Sequence, residues 1–370
     1  MNELAENKDI LELSMIELKP MLQEQGIWFK EDYSLKYFTY FKTGGTARYI
    51  VFPKNMSEIQ TLISYFYDRE IQYKLIGFTT NLLFLDGLKY SVIVSTQNLS
   101  DVKVGQGVVE VEAGYSLQDF VRLMVMHEVQ GFEGLEGVPG SIGGGVFMNA
   151  GAYGDEIADN LISVKCLNKT GKLVVLSKLD CKFAYRNSVF KSRSDLVIVS
   201  ASFKTAKGDI EKIEKNIETY HIARHSYQDF VYPSLGSMYS AKGDIYFRCF
   251  RDNNFFLLVY YMLKLVLKNP LSKFLMRKRP HNIIFNKLAK RKLGNFEHRL
   301  SKKSINILIN DGNATDEKLV AHIKKIGECL GGDVAVENEI VLGPPLIKDK
   351  GFYRISEIVN KLQAGPSRRK

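Results

Sequence analysis

Cysteine is scarce in this chain: there are four in 370 residues, Cys166, Cys181, Cys249 and Cys329, and no two form a CxxC pair. That spacing offers neither a zinc-ligand set nor a disulfide framework, so all four are expected to be reduced, mostly buried thiols. The phosphate-binding signature GxxxxGK[ST] is absent, which excludes a P-loop. "GSIGGG" is not GxGxxG and does not open a long helix within a βαβ unit, so a Rossmann dinucleotide site is unsupported. The opening "MNELAENKDILEL" lacks a basic-then-apolar leader, and a cytoplasmic protein is expected. The most apolar run, "FFLLVYYMLKLVL" (Phe255–Leu267), has 13 residues and contains Lys264. A bilayer span needs about 20. Internal repeats are also missing.

What is present suits a globular protein of two or three domains. Hydrophobic residues make up 45% and charged residues 25%. The net charge of +10 is local, because residues 241–300 hold 14 Lys and Arg against 3 Asp and Glu. The rest is about neutral, so nucleic-acid binding is not indicated. Apolar spacing predicts a helical lead-in over residues 1–36, carried by Ile10, Leu13, Ile16 and Leu18. A strand "ARYIVFP" is followed by a helix beginning at Asn55 or Ser57, then the strand "YKLIG". The strands "SVIVS" and "VVEVEAG", a helix capped by Ser116, and the strands "ISVKCLN", "KLVVLS" and "LVIVSASF" come next. "GDIEKIEKNIETYHIARHSY" reads as a polar surface helix. Its His221 and His225, at i and i+4, have no third ligand nearby and are expected to be surface residues. The run Phe255–Leu267 reads as a helix buried against its own domain. The alternative is an interfacial helix on anionic lipid, flanked by Lys268, Lys273, Arg277, Lys278 and Arg279.

Two stretches concentrate bare backbone. "GVPGSIGGGVFMNAGAYGDE" (137–156) contains seven glycines, and "GFTTNLLF" (77–84) follows a strand directly. Amides without a neighbouring Cβ can close on phosphate oxygens. Two separated cradles suit a ligand with a pyrophosphate and a long body, although each alone also reads as a tight turn.

"FKTGGTARYIV", "GFTTNLLF", "GLEGVPGSIGGGVFMNAGAYGDEI" and "FAYRNSVFK" occur in this order, followed by "YPSLGSMYS" and "VAVENEIVLG". Together they make the chain similar to the UDP-N-acetylenolpyruvoylglucosamine reductase family, densely so over Tyr37–Lys204. The resemblance implies an α+β architecture, a vanillyl-alcohol-oxidase-type FAD-binding fold of two lobes with a C-terminal α/β substrate domain. It implies lobes at 37–98 and 99–206, a substrate domain at 207–360 with a basic-apolar insertion near 243–292, and a flexible tail at 361–370. FAD and NADPH are the implied cofactors, a sugar nucleotide is the implied substrate, and a monomer is expected.

The positions matching the flavin loops are Gly77, Thr79, Thr80, Asn81 and Leu82, and Pro139, Gly140, Ser141, Gly143, Asn149, Gly151, Ala152 and Tyr153. The positions matching the catalytic groups are Arg186 for the substrate carboxylate, Ser237 for the proton, and Glu339 for assistance to the enolate. Glu337, two residues earlier on the same expected strand face, ranks below Glu339. The third domain departs from the family pattern. Ser240 and Ala241 replace an Asn/Lys contact, only Ser301 and Asn306 clearly survive of a later motif, and Phe78 and Thr79 stand where the family prefers glycine. The long loop that carries a substrate-binding tyrosine in one family subtype is absent, which resembles the shorter subtype. Other readings are a different flavin oxidoreductase on this fold, or a catalytically weak paralogue that binds a membrane surface through 255–279.

Overall fold

The β-branched, apolar strands Thr46–Phe52 and Lys89–Ser95 are buried almost throughout and pair in parallel. Burial on both faces is what a parallel sheet requires of its strands. They form the centre of a four-stranded sheet with Lys74–Ile76 at one edge and Trp28–Ser34 at the other. The helix Met56–Asp68 crosses between them. Its start is fixed by Asn55, whose Oδ1 accepts from the Glu58 amide at 2.9 Å. The helix buries Ile59, Leu62, Ile63 and Phe66. The structure is a computed structural model and describes residues 17–240, 243–268, 281–294, 298–331, 334–348 and 350–363.

The expected helical lead-in is corrected here. Residues 17–24 are helical, but Trp28–Ser34 is an antiparallel edge strand. Its polar sequence hides it. Pairing with the apolar neighbour and contact of Trp28 with Phe52, centroids 4.4 Å apart, hold it in place. Ile10, Leu13 and Ile16 lie outside the described residues.

A second sheet is fully antiparallel, ordered Leu173–Ser177, Leu161–Leu167, Val197–Lys204, Val108–Glu112 and Val102–Val104. The helix Leu117–Met126, capped by the Ser116 hydroxyl, covers one face. Phe120, Phe132 and Phe203 meet there with ring centroids 5.2 to 5.9 Å apart. Edge-to-face packing of this kind adds to their simple burial.

The C-terminal third contributes short strands. Ser234–Ser237 pairs with Ile307–Ile309, and Tyr239–Ser240 pairs with Ala335–Val336. Glu339–Val341 adds in parallel to Leu82–Phe84 of the first lobe. The one strand expected to carry Glu337 and Glu339 is therefore broken before Glu339, and its two halves, Ala335–Val336 and Glu339–Val341, have different partners. Buried residues of the first lobe (Phe41, Phe84, Tyr90) and of the C-terminal third (Tyr239, Leu308, Ile340) share one apolar core.

Further corrections concern the cysteines and the insertion. Cys249 and Cys329, 80 residues apart, are joined as a disulfide with Cα atoms 5.0 Å apart. The helices Ile245–Phe250 and Asp316–Cys329 pack together and bring them face to face. Cys166 and Cys181 are buried free thiols, and burial pushes that of Cys166 up to about 12. The apolar run forms the helix Asn254–Lys268. It buries Tyr260 and partly buries Phe256, Leu257, Leu263 and Leu267, but its other face is exposed, so burial alone does not describe it. Among the described residues no helix is long and apolar enough to cross a membrane. Lys273, Arg277, Lys278, Arg279, Ala241 and the tail from 364 lie outside the described residues, as does the side chain of Lys268.

Asn306 locks the chain just after Ser237. Its Nδ2 donates to Tyr239 O at 2.9 Å, its Oδ1 accepts from Tyr239 N at 3.0 Å, and its own carbonyl accepts from Met238 N at 2.8 Å. Asn306→Ala leaves a buried amide and a buried carbonyl without partners. The expected cost is about 2–3 kcal/mol, read as a lower denaturation midpoint with an unchanged slope. An unshifted midpoint would contradict this.

Candidate active site

The two glycine stretches pack on each other. Gly77 lies so close to Ser141 that a Cβ would come within 2.4 Å of its Oγ, and a Cβ on Gly140 would sit 3.1 Å from Thr80 Oγ1. Thr80 Oγ1 donates to Pro139 O at 3.1 Å. Both backbones turn through left-handed conformations, at Thr79 (φ 58°) and Gly140 (φ 137°). Thr79 carries a side chain where that conformation favours glycine. The Tyr40 amide donates to its Oγ1 at 2.8 Å and helps hold the turn.

Ser141 caps the short helix Ile142–Met148. Two helix glycines are there for packing, since a Cβ at Gly143 would meet Ala113 at 2.9 Å and one at Gly145 would meet Ile157 at 2.8 Å. Gly144 differs. It is exposed, and its Cβ would meet only Ser141 Oγ at 3.5 Å.

These loops line a cavity of about 2310 Å³, together with Leu82, Gly151, Ala152, Arg186, Ser237, Glu337, Asn338 and Glu339. Gly77, Thr79, Thr80, Asn81, Pro139, Gly140, Ser141 and Gly143 lie on the same wall. Typical small-molecule pockets measure about 300–1,000 Å³, so this one has room for two large ligands. Asn149 and Tyr153, expected beside the flavin, do not line it. Asn149 is 1% exposed and ends the helix in a left-handed turn; its side chain bonds Glu156, Ala184 O and the Ala158 amide. Tyr153 stacks on Tyr220, centroids 4.5 Å apart and planes 4° from parallel. Both residues shape the stretch from behind.

Arg186 projects from a left-handed turn (φ 51°). Its Nη2 donates to Gly151 O at 2.6 Å and its Nη1 to Asn149 O at 3.4 Å, while Nε lies 3.8 Å from Glu337 Oε1. Burial pushes the Glu337 carboxyl above the usual range, opposed by Arg186, by a hydrogen bond from Ser240 and by Lys191. Ser240, where the family pattern has an Asn/Lys contact, is thus engaged with Glu337. Glu339 is ion-paired with Lys74. Lys191 donates to Arg186 O at 2.8 Å, and burial lowers its ammonium, against the pull of Glu337 and Glu339.

Asn338 links the parts and is 2% exposed. Its Nδ2 donates to Asn81 Oδ1 at 2.8 Å and to Leu235 O at 3.0 Å. Asn81 replies with Nδ2 to Glu337 O at 2.9 Å and accepts from the Glu339 amide at 3.0 Å. Lys74, Lys191 and Asn338 are site residues that sequence reasoning did not single out. Lys191 and Asn338 fall inside quoted motifs, but only their neighbours had an evident chemical role. Lys74 carries no sequence signal, since its partner is 265 residues away. His221 and His225 lie on one helix face, and among the described residues no group of three His, Cys, Asp or Glu could hold a metal.

Residues 47–177 match a family model described as an FAD binding domain. The fold and site define a flavoprotein oxidoreductase. The UDP-N-acetylenolpyruvoylglucosamine reductase of Streptococcus equi subsp. zooepidemicus is 32% identical over 326 residues, 87% of this chain and 98% of that protein. The enzyme of the same name from Streptococcus thermophilus is 37% identical over 214 residues, 58% of this chain and 70% of that protein. The crystal structure of the Thermus caldophilus enzyme superposes with a TM-score of 0.59 at 21% identity, covering 85% and 98% of the two chains, which shows the shared fold. The chain belongs to the UDP-N-acetylenolpyruvoylglucosamine reductase family.

The residues present fit FAD. Two mutually packed loops give a phosphate-sized edge of small residues, and Phe147, Leu235 and Ile198 add apolar surface beside them. Asn338 Oδ1 is buried and has no hydrogen-bond partner among the described residues. Gly144→Ala separates cofactor space from fold. Alanine favours an exposed helical site by up to about 1 kcal/mol, so thermal stability of the apo-protein is expected to hold or rise. A methyl group facing the loop wall is expected to weaken FAD at least tenfold in a fluorescence titration. Unchanged FAD affinity would place the cofactor elsewhere.

Proposed function

We propose that this chain reduces the enolpyruvyl ether of UDP-N-acetylglucosamine to UDP-N-acetylmuramate with NADPH, a step of peptidoglycan precursor synthesis. The observation that carries this reading is the shared cavity: Arg186, Ser237 and Glu339 line the same space as the two flavin loops. The similarity to a reductase over 98% of its length supports the substrate. Bound FAD supplies a carrier that takes hydride from NADPH and delivers it to the substrate alkene.

The protein's own work lies at the substrate carboxylate and at C2. Hydride addition at C3 builds negative charge on both. Arg186 has a planar guanidinium that receives a carboxylate bidentately and binds it more strongly as charge grows. Its bonds to Gly151 O and Asn149 O fix its plane before substrate arrives. Preorganised donors of this kind avoid reorganisation during the reaction. Ser237 lies at the end of a strand pinned by Asn306 and gives the proton to C2. A hydroxyl is a weak acid, but the enolate is a strong base and needs only a neutral O–H held at the carbon. Glu339, paired with Lys74, flanks the proton path, and Glu337 holds Arg186 from the other side.

Both proposed small-molecule reactants are cytoplasmic metabolites, which supports action in the cytoplasm.

In Ser237→Ala, flavin reduction by NADPH is expected to stay within about twofold of wild type. Reoxidation by the enolpyruvyl nucleotide is expected to slow 10²-fold or more, the usual reach of a positioned proton donor. Rapid mixing read by flavin absorbance separates the two steps. An unslowed second step would remove Ser237 from the reaction.

A further inference from the structure

The helix Asn254–Lys268 has two apolar faces. The inner one, with Phe256, Tyr260, Leu263 and Leu267, packs into the core. Tyr260 donates to Asp244 Oδ2 at 2.6 Å and accepts from Lys264 Nζ at 2.7 Å, which anchors the helix to the segment before it. The outer face carries Phe255, Leu258, Tyr261, Met262, Leu265 and Val266, each between 47% and 76% exposed. At 100° per residue these six fall within one arc of about 140°. Isolated exposed apolar residues are ordinary, but six on one helix face mark an interaction surface.

Three features identify the occupant. The helix is about 22 Å long and about 10 Å wide, a convex ridge well short of the about 800 Å² per partner that a stable protein interface buries. The surrounding charge is one-sided. Residues 243–268 and 281–294 hold eight Lys or Arg against two acids, and both acids are already engaged, Asp244 with Lys264 at 3.6 Å and Asp252 with Lys292. The segment also stands clear of the catalytic cavity, which no described residue from 245 to 293 lines. We infer that this face lies on the surface of an anionic phospholipid bilayer, with its apolar side chains at the acyl boundary and the basic residues on the headgroups. The inference is independent of the reading of the active site.

The test is co-sedimentation of the full-length, FAD-loaded protein with vesicles of 3:1 phosphatidylcholine and phosphatidylglycerol, and with vesicles of phosphatidylcholine alone. Wild type is expected to bind the anionic vesicles at least tenfold more tightly and to be released by high salt. L258E/L265E is expected to lose at least tenfold in that binding while NADPH-driven flavin reduction stays unchanged. Should that double variant fail to fold, F255W serves instead, its added emission shifting to the blue only with anionic vesicles. Failure of wild type to bind, equal binding by the double variant, or no shift would overturn the inference. So would a wild-type dimer in sedimentation velocity that L258E/L265E abolishes, since it would assign the ridge to a second copy of the chain.

Discussion

The active site depends on one long-range pairing, that of Glu339–Val341 alongside Leu82–Phe84. These segments are more than 250 residues apart in sequence, and closing such a loop carries an entropic cost that local contacts do not. It is offset by the shared apolar core and by two side-chain amide bonds, from Asn338 Nδ2 to Asn81 Oδ1 and from Asn81 Nδ2 to Glu337 O. Once the pairing forms, a carboxylate from the end of the chain faces the same space as the flavin loop. Asn338 Nδ2 also reaches Leu235 O, so the strand ending in Ser237 is tied to the same junction.

Around this junction both carboxylates are paired, and one further cation is held by a carbonyl. Arg186 meets Glu337, Lys74 meets Glu339, and Lys191 holds the carbonyl of Arg186. Partly buried charges need such partners, because each one alone would lose its hydration without compensation. In the proposed reaction the substrate carboxylate therefore enters a field with one cation in excess and competes with Glu337 for Arg186. That competition favours a ligand whose charge increases during the reaction over one whose charge does not.

Much of this was legible in sequence. The two glycine stretches were readable because each needs bare backbone, and the structure explains each need by a close approach of one loop to the other. Arg186, Ser237 and Glu339 were readable through the family resemblance, and all three line the cavity. What was not legible depends on distance along the chain. Lys74 looks like any surface lysine until Glu339 is beside it. Cys249 and Cys329 gave no spacing signal, because packing of two helices and not a motif brings them together. The edge strand Trp28–Ser34 has a polar sequence and is defined by its neighbour. Asn149 and Tyr153 lie in the right stretch but do not line the cavity, since a residue's place in a motif does not fix what its side chain meets.

The insertion adds a second surface to an otherwise familiar enzyme architecture. Its inner face completes the core around Tyr260, and its outer face leaves the catalytic cavity untouched. The most direct test of the account is isotopic. The protein would convert the enolpyruvyl nucleotide with NADPH in D₂O and, separately, in H₂O. The expected muramate product carries deuterium at C2 when made in D₂O and none at C2 when made in H₂O. A product made in D₂O with only protium at C2, or no product from the FAD-loaded protein, would contradict the proposed reaction.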